Sequence, residues 1–158
     1  MPTQRPAPEP FIALFAFLLN FVWEMWQVPF FDGIGAGGHW QGVIICTRAT
    51  LGDVAIALFA FWTVAAISRA RFWLLAPTGM QLAVFLAIGV LVTVVFEALA
   101  TGMLDRWQYA GKMPTLPWLG TGLLPLLQWL LLPPCILWLA RGQVLGIEQQ
   151  DKSKSRTS

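Results

Sequence analysis

The sequence is short of charge before anything else. Of its 158 residues only 11% are Asp, Glu, Lys or Arg, where a soluble domain carries about 25%. Histidine and tyrosine each occur once, cysteine twice, and the net charge is +2. The lone His39, with no Cys or His pair at ligand spacing, speaks against a dedicated transition-metal site. Cys46 and Cys135 fall at different depths of separate apolar runs, so no disulfide is expected and both read as packing residues. No basic face is long enough to follow a phosphate backbone, which excludes nucleic acid as the main partner. No cofactor is expected. The run Gly33 to Gly38, GIGAGG, lacks the strand-to-helix unit that a dinucleotide or phosphate loop requires.

What the chain has in excess is apolar surface. Hydrophobic residues make up 57% before the 14 glycines are counted, against about 45–50% for soluble domains with glycine included. Nine Trp, eleven Phe and a mean hydropathy of +0.65 point the same way. A soluble chain of this length has no interior large enough for so much apolar surface, which leaves an integral membrane protein. Because backbone groups in lipid must be paired within the chain, the expected fold is an all-α bundle. Four stretches reach the roughly 20 residues needed to span a bilayer, near 11–31, 43–67, 80–103 and 119–140. They are separated by GIGAGG, by Arg69 and Arg71 with Pro77 and Gly79, and by the stretch from Asp105 to Pro117. One membrane domain, 11–140, therefore lies between a tail at 1–10 and a polar tail at 141–158, whose end from Gln149 to Ser158 is expected to be disordered. The first span follows Arg5 as a signal peptide would, but it carries Glu24 and lacks a convincing cleavage site, so a retained helix is expected.

Basic residues set the expected orientation. Arg5, Arg69, Arg71, Arg141, Lys152, Lys154 and Arg156 fall on one side, and Arg48, Arg106 and Lys112 on the other. That asymmetry places both termini in the cytoplasm, with the bacterial inner membrane as the expected location. Trp40, Trp107, Tyr109 and Trp118 then fall near the outer interface, and Trp73 and Trp138 near the inner one.

Ionisable residues within a span cost about 2.5–3.5 kcal/mol each on insertion scales, so each is a candidate for function. There are four, Glu24, Arg48, Asp53 and Glu97, all at the level of the outer half of the bundle, where Gln128 also falls. Helical spacing groups Asn20, Glu24 and Gln27 on one face of the first span and Cys46, Thr50 and Asp53 on one face of the second. Thr93, Glu97 and Thr101 do the same on the third, and Thr121 and Gln128 on the fourth. Four polar stripes at one level are expected to face inward rather than lipid. Three carboxyls against one arginine would leave the layer negative, so at least one carboxyl is expected to keep its proton. The candidate catalytic residues are Glu24, Asp53 and Glu97, and the candidate substrate-binding residues Asn20, Trp23, Gln27, Arg48 and Gln128. A plainer reading has the same groups hydrogen-bonding across helices, with Arg48 neutralising Asp53 or Glu24. Pro125, Pro133 and Pro134 are expected to kink or widen the fourth span. The 105–121 connection either caps the polar layer from outside or anchors at the interface.

The string Leu19-Asn20-Phe21-Val22-Trp23-Glu24 resembles the N-x-x-W-E signature of the integral-membrane terpene cyclases that make meroterpenoids. That resemblance implies intramembrane acids that protonate an epoxide or alkene and steer the resulting carbocation, with Asn20, Trp23 and Glu24 at the matching positions. The later string from Trp107 and Tyr109 through Met113, Pro114 and Pro117 to Gln128 is similar to small bacterial polytopic membrane proteins that name no reaction. Three classes of function stay open. An enzyme performing acid–base chemistry on an isoprenoid or other hydrophobic substrate, of cyclase or isomerase type, ranks first. In that class Glu24 acts as acid, Asp53 or Glu97 as base, and Trp23, Trp26 or Trp129 stabilises a cation. An accessory or assembly subunit with a membrane-protein partner ranks second. A proton-coupled carrier, which with four helices needs a homo-oligomer, ranks third.

Overall fold

The computed structural model describes residues 5–34, 37–104, 106–118 and 120–157, with the side chains of 156 and 157 left aside. Gly35 and Ala36 of the glycine run, Asp105 and Leu119 of the later connection, residues 1–4 and Ser158 lie outside the described residues. The chain is 77% helical and forms an all-α bundle of four helices. Four segments are long and apolar enough to cross a membrane, with mean hydropathies of 1.6, 1.9, 2.6 and 1.8 in chain order. The protein is therefore a multi-pass membrane bundle.

Local chemistry sets each boundary. Helix α1, Glu9–Gln27, begins behind Pro8 with a second proline in its first turn and Glu9 beside it, positions where no helical hydrogen bond is lost and an acid complements the helix dipole. It passes into a tighter turn at Val28–Phe30, where Pro29 has no N–H to continue the helical ladder. Helix α2, His39–Ser68, follows Gly38, whose φ of 89° suits glycine alone. It ends where Arg69 turns left-handed and returns its N–H to Ala65 and Ala66. Helix α3, Gly79–Ala98, starts with a reciprocal capping box between Thr78 and Gln81. It loosens into a π-helical turn at Leu99–Met103. Helix α4, Leu123–Thr157, takes Pro125 in its first turn and continues through Pro133 and Pro134 as one element. Of the three prolines expected to disturb this span, Pro125 thus removes no helical bond.

The helices pack in a ring, α1 against α2 and α4, and α3 against the same two. Along its length the bundle divides in two. At the end holding the tails, the apolar core gathers Ile12, Ala16, Ala57, Ala60, Phe61, Val64, Phe85, Ile136 and Ala140. Small residues there let backbones approach closely, which is how helices associate where lipid supplies no hydrophobic drive. Trp73 plugs this end between Phe61 and Phe85, with ring centroids 5.7 and 5.8 Å away. Its indole N–H reaches the Phe61 carbonyl at 3.3 Å. Around the plug, Arg5 pairs with Glu148 and Arg71 with Glu9, both at 2.9 Å, and Arg141 donates to the Leu75 carbonyl at 2.8 Å.

Those contacts overturn the expectation of a disordered tail. Helix α4 runs on to Thr157, because no proline follows Pro134, Val144 is fully buried and Glu148 is held by Arg5. At the opposite end, the first helix stops at Gln27, four residues short of the expected span end at 31, and the segment after it pairs with the later connection as strands. β1, Phe31–Asp32, and β2, Gln108–Tyr109, form an antiparallel ladder with Phe31 opposite Tyr109 and Asp32 opposite Gln108.

Adjacent residues on α2 test the division between core and lipid surface. Phe61 is fully buried and Trp62 is 53% exposed. Phe61→Ala should cost on the order of 3 kcal/mol in denaturant unfolding from detergent micelles. Trp62→Ala should fall within about 0.5 kcal/mol of the parent; equal losses would show that the core does not lie on this face.

Candidate functional site

In the loop-end half, polar side chains take the place of the apolar core. The buried polar residues among those described are Asn20, Gln27, Thr50, Thr93, Glu97, Thr121 and Gln128. Each belongs to one of the four stripes expected from helical spacing, and the stripes do face inward.

Gln128 of α4, 2% exposed, is the junction. Its amide nitrogen donates to Asn20 Oδ1 of α1 at 2.8 Å and to Asp53 Oδ2 of α2 at 3.0 Å, and lies 3.4 Å from Glu24 Oε1 of α1. An amide carries two hydrogens, so the long contact to Glu24 is the shared one. Glu24 has a better donor in Gln27 Nε2 at 2.9 Å, and Gln27 Oε1 in turn accepts from the Trp23 indole at 3.2 Å. Asn20 is aimed by its own helix, its amide donating back to the Ala16 carbonyl at 2.7 Å. The Trp129 side chain stands beside Asp53. The ring of Trp129 lies flat enough on α3 that a Cβ at Gly89 would stand 2.0 Å from it. Gly89 therefore sets where Trp129, and through it Asp53, can sit.

Glu97 of α3 belongs to the same layer, within electrostatic reach of both Glu24 and Asp53. Its direct partner comes from the loop end: the Tyr109 hydroxyl donates to its carboxyl and accepts the Gly122 backbone N–H at 2.9 Å. Trp107 stands beside the same carboxyl without reaching hydrogen-bond geometry, so its buried indole N–H is unpaired. The 105–121 connection thus caps the polar layer.

Of the residues singled out from sequence, Asn20, Trp23, Glu24, Gln27, Asp53 and Gln128 form one connected network, and Glu97 stands within electrostatic reach of it. Arg48 does not join. It is exposed and forms no ion pair with a described carboxylate. The reason is register: Cys46, Thr50 and Asp53 face inward, and position 48, about 200° round the helix from 46, points away from the layer. The three carboxyls therefore have amide and phenol donors and, among the described residues, no cation. Among the described residues no three His, Cys, Asp or Glu side chains gather as a metal-ligating group. Cys46 and Cys135 are both free. A cavity of about 250 Å³ opens at the end of α1 and the start of α2, lined by Met25, Val28, Pro29, Gly38, His39 and Gly42, none of them a member of the network.

Sequence reasoning placed Tyr109 and Trp107 at the membrane interface and Trp129 at most at a cation, so the bond of Tyr109 to Glu97 and the places of the two tryptophans beside carboxyls went unforeseen. Only the rarity of tyrosine marked Tyr109, and nothing in the spacing linked it to Glu97. Compared with known protein families, curated proteins and solved structures, the chain matches none.

Two measurements probe this geometry. In a double-mutant cycle of Asn20→Ala and Gln128→Ala, unfolding in micelles should show a coupling near 0.6 kcal/mol, up to about 1.7; zero coupling would detach α4 from α1. Tyr109 is the only tyrosine, so phenolate absorbance reads it alone. Burial first, then the hydrogen bond and charge of Glu97, raise its pKa above the ordinary phenol value. Its titration midpoint should therefore lie above about 10 and fall in Glu97→Gln. Because the unfolded phenol loses its proton first, stability should decline as pH rises past about 10. A midpoint at the ordinary value in the folded protein would refute the contact.

Proposed function

We propose that the protein is a membrane-embedded acid–base catalyst acting on an isoprenoid or other lipid, of the cyclase or isomerase type. The observation that carries this reading is the meeting of Glu24 and Asp53, from two helices, within 3.4 Å of one amide nitrogen of Gln128. Carboxyls are costly in a bilayer. Two brought together and oriented by neutral donors fit proton transfer to and from carbon better than they fit simple helix adhesion.

In this reading Glu24 gives its proton to an alkene or epoxide. The substrate becomes a cation, and Asp53, or Glu97 beside it, removes a proton from another carbon to leave a rearranged alkene. The proton balance closes without oxidant or reductant. Asn20 and Gln128 hold the carboxyls in place, and the ring faces of Trp23 and Trp129 stabilise the cation. The N-x-x-W-E resemblance supports the same assignment for Asn20, Trp23 and Glu24. The distribution of Lys and Arg supports a bacterial inner-membrane location with both tails in the cytoplasm.

The test needs no prior choice of substrate. Membranes holding the protein, incubated in heavy water, should incorporate deuterium at carbon into an extractable lipid, read by mass spectrometry. Glu24→Gln should slow incorporation by about 10²–10⁴-fold while expression and melting temperature stay near those of the parent. A wild-type protein that labels no lipid above an empty-membrane control would sink the catalytic reading. Collapse of the fold in Glu24→Gln would make the network structural glue.

A further inference from the structure

Above the Gln128 junction, a second set of polar groups surrounds Tyr109. The phenol donates to the Glu97 carboxyl and accepts from Gly122 N–H, so its hydrogen and one lone pair are committed. The Glu97 carboxyl has room for more than that one bond, because the Thr101 hydroxyl goes to the Glu97 backbone carbonyl instead. Next to this carboxyl the Trp107 indole N–H is buried and unpaired. Thr121, one residue before Gly122 and 2% exposed, has a buried hydroxyl that is also unpaired. Buried donors without acceptors are rare in folded proteins. Here one lies beside the carboxyl–phenol pair and the other is one residue from the Gly122 N–H that the phenol accepts, where α3 has just passed into the π-helical turn at Leu99–Met103, a feature frequent at functional sites.

The chemistry of the set selects its ligand. A hydroxyl oxygen can accept from Trp107 or Thr121 while its hydrogen goes to Glu97, and it brings no charge into the bundle. An anion would meet the Glu97 carboxylate with like charge, and an ammonium would leave both donors unpaired. We propose that Glu97, Tyr109, Trp107 and Thr121 bind a hydroxyl group, supplied by the alcohol end of a lipid or by a water molecule. The lipid source rests on the catalytic reading above: it anchors the polar end of the substrate at the loop end while the hydrocarbon runs towards Glu24 and Asp53. Tyr109 is then a substrate-positioning residue, held over Glu97 by the β1–β2 ladder.

The experiment reads occupancy instead of turnover, so its failure and failure of the catalytic reading are separate results. Isotope-labelled Trp indoles are followed by NMR in nanodiscs, with Trp107→Phe to assign the Trp107 signal. Decanol should shift the Trp107 N–H resonance and decane should not. Glu97→Gln should weaken the decanol response by about fivefold or more, as a weaker acceptor for the alcohol's hydrogen implies, and Tyr109→Phe should weaken it by releasing the Glu97 carboxyl from its place, with the Trp129 signal in place to show an intact fold. If decanol has no effect but Trp107 N–H cross-relaxes with a long-lived water that is lost in Glu97→Gln, the hydroxyl site stands with water as its occupant. A wild-type Trp107 that answers to neither, or that answers equally to decane, overturns the proposal whatever the variants do.

Discussion

The bundle depends on a constraint that water would relieve and lipid does not: a polar side chain in the bilayer has to find another polar side chain. Gln128 meets it for three helices at once. Its amide lies against Asn20 and Glu24 of α1 and Asp53 of α2, across sequence separations of 108, 104 and 75 residues. Removing the amide would leave buried acceptors unmatched, at about 1–3 kcal/mol for each. Gln27 and Trp23 extend the chain along α1, and Trp129, the residue after Gln128, stands beside Asp53. Register between α4 and the other helices follows from this junction, because an apolar interface of Leu and Ala tolerates sliding and a shared amide does not.

The two ends of the molecule solve different problems. At the tail end, small residues and the Trp73 plug close the bundle tightly, and ion pairs from Arg5 and Arg71 tie the N-terminal segment and the 68–79 connection to α4 and α1. Exposed pairs of that kind contribute little each; their effect is to order α4 beyond the apolar span. At the loop end nothing comparable fills the interior, and amides and carboxyls occupy it instead. Trp129 marks the boundary. Its ring belongs to the apolar core and borders Asp53, and only glycine at position 89 leaves room for it. A rigid half therefore holds a polar half whose side chains are aimed.

Much of this was legible because helical periodicity is a local rule. Spacings of three and four residues put Asn20, Glu24 and Gln27 on one face, and the same rule applied to Cys46, Thr50 and Asp53 would have excluded Arg48, two residues from Cys46, from that layer. Its assignment to the site followed charge where it should have followed register. The four spans and their common polar level came from composition and length, which lipid constrains strongly. What stayed hidden arises from contacts that no local pattern encodes. The helical tail depends on a partner 143 residues away in sequence, Arg5 for Glu148. The bond from Tyr109 to Glu97 depends on how two connections meet in space. Tryptophans that composition assigns to the membrane interface turn inward when a buried acceptor lies within reach, and sequence alone does not show which ones do.

The ladder between β1 and β2 illustrates how little structure such a placement needs. Two residue pairs add almost nothing to the stability of a four-helix bundle, and an isolated hairpin of that length would be marginal in water. Register is what they supply. Side chains alternate along a strand, so a slip of one residue would carry Tyr109 to the opposite face and away from Glu97. Phe31 opposite Tyr109, with ring centroids 5.5 Å apart, weights one pairing over its neighbours. Gly122 admits the phenol from the other side, where a Cβ would stand 3.1 Å from the ring. A short ladder, one aromatic pair and one glycine thus decide whether Glu97 faces a hydroxyl or a closed apolar lid, and with that whether the third carboxyl of the layer has chemistry open to it.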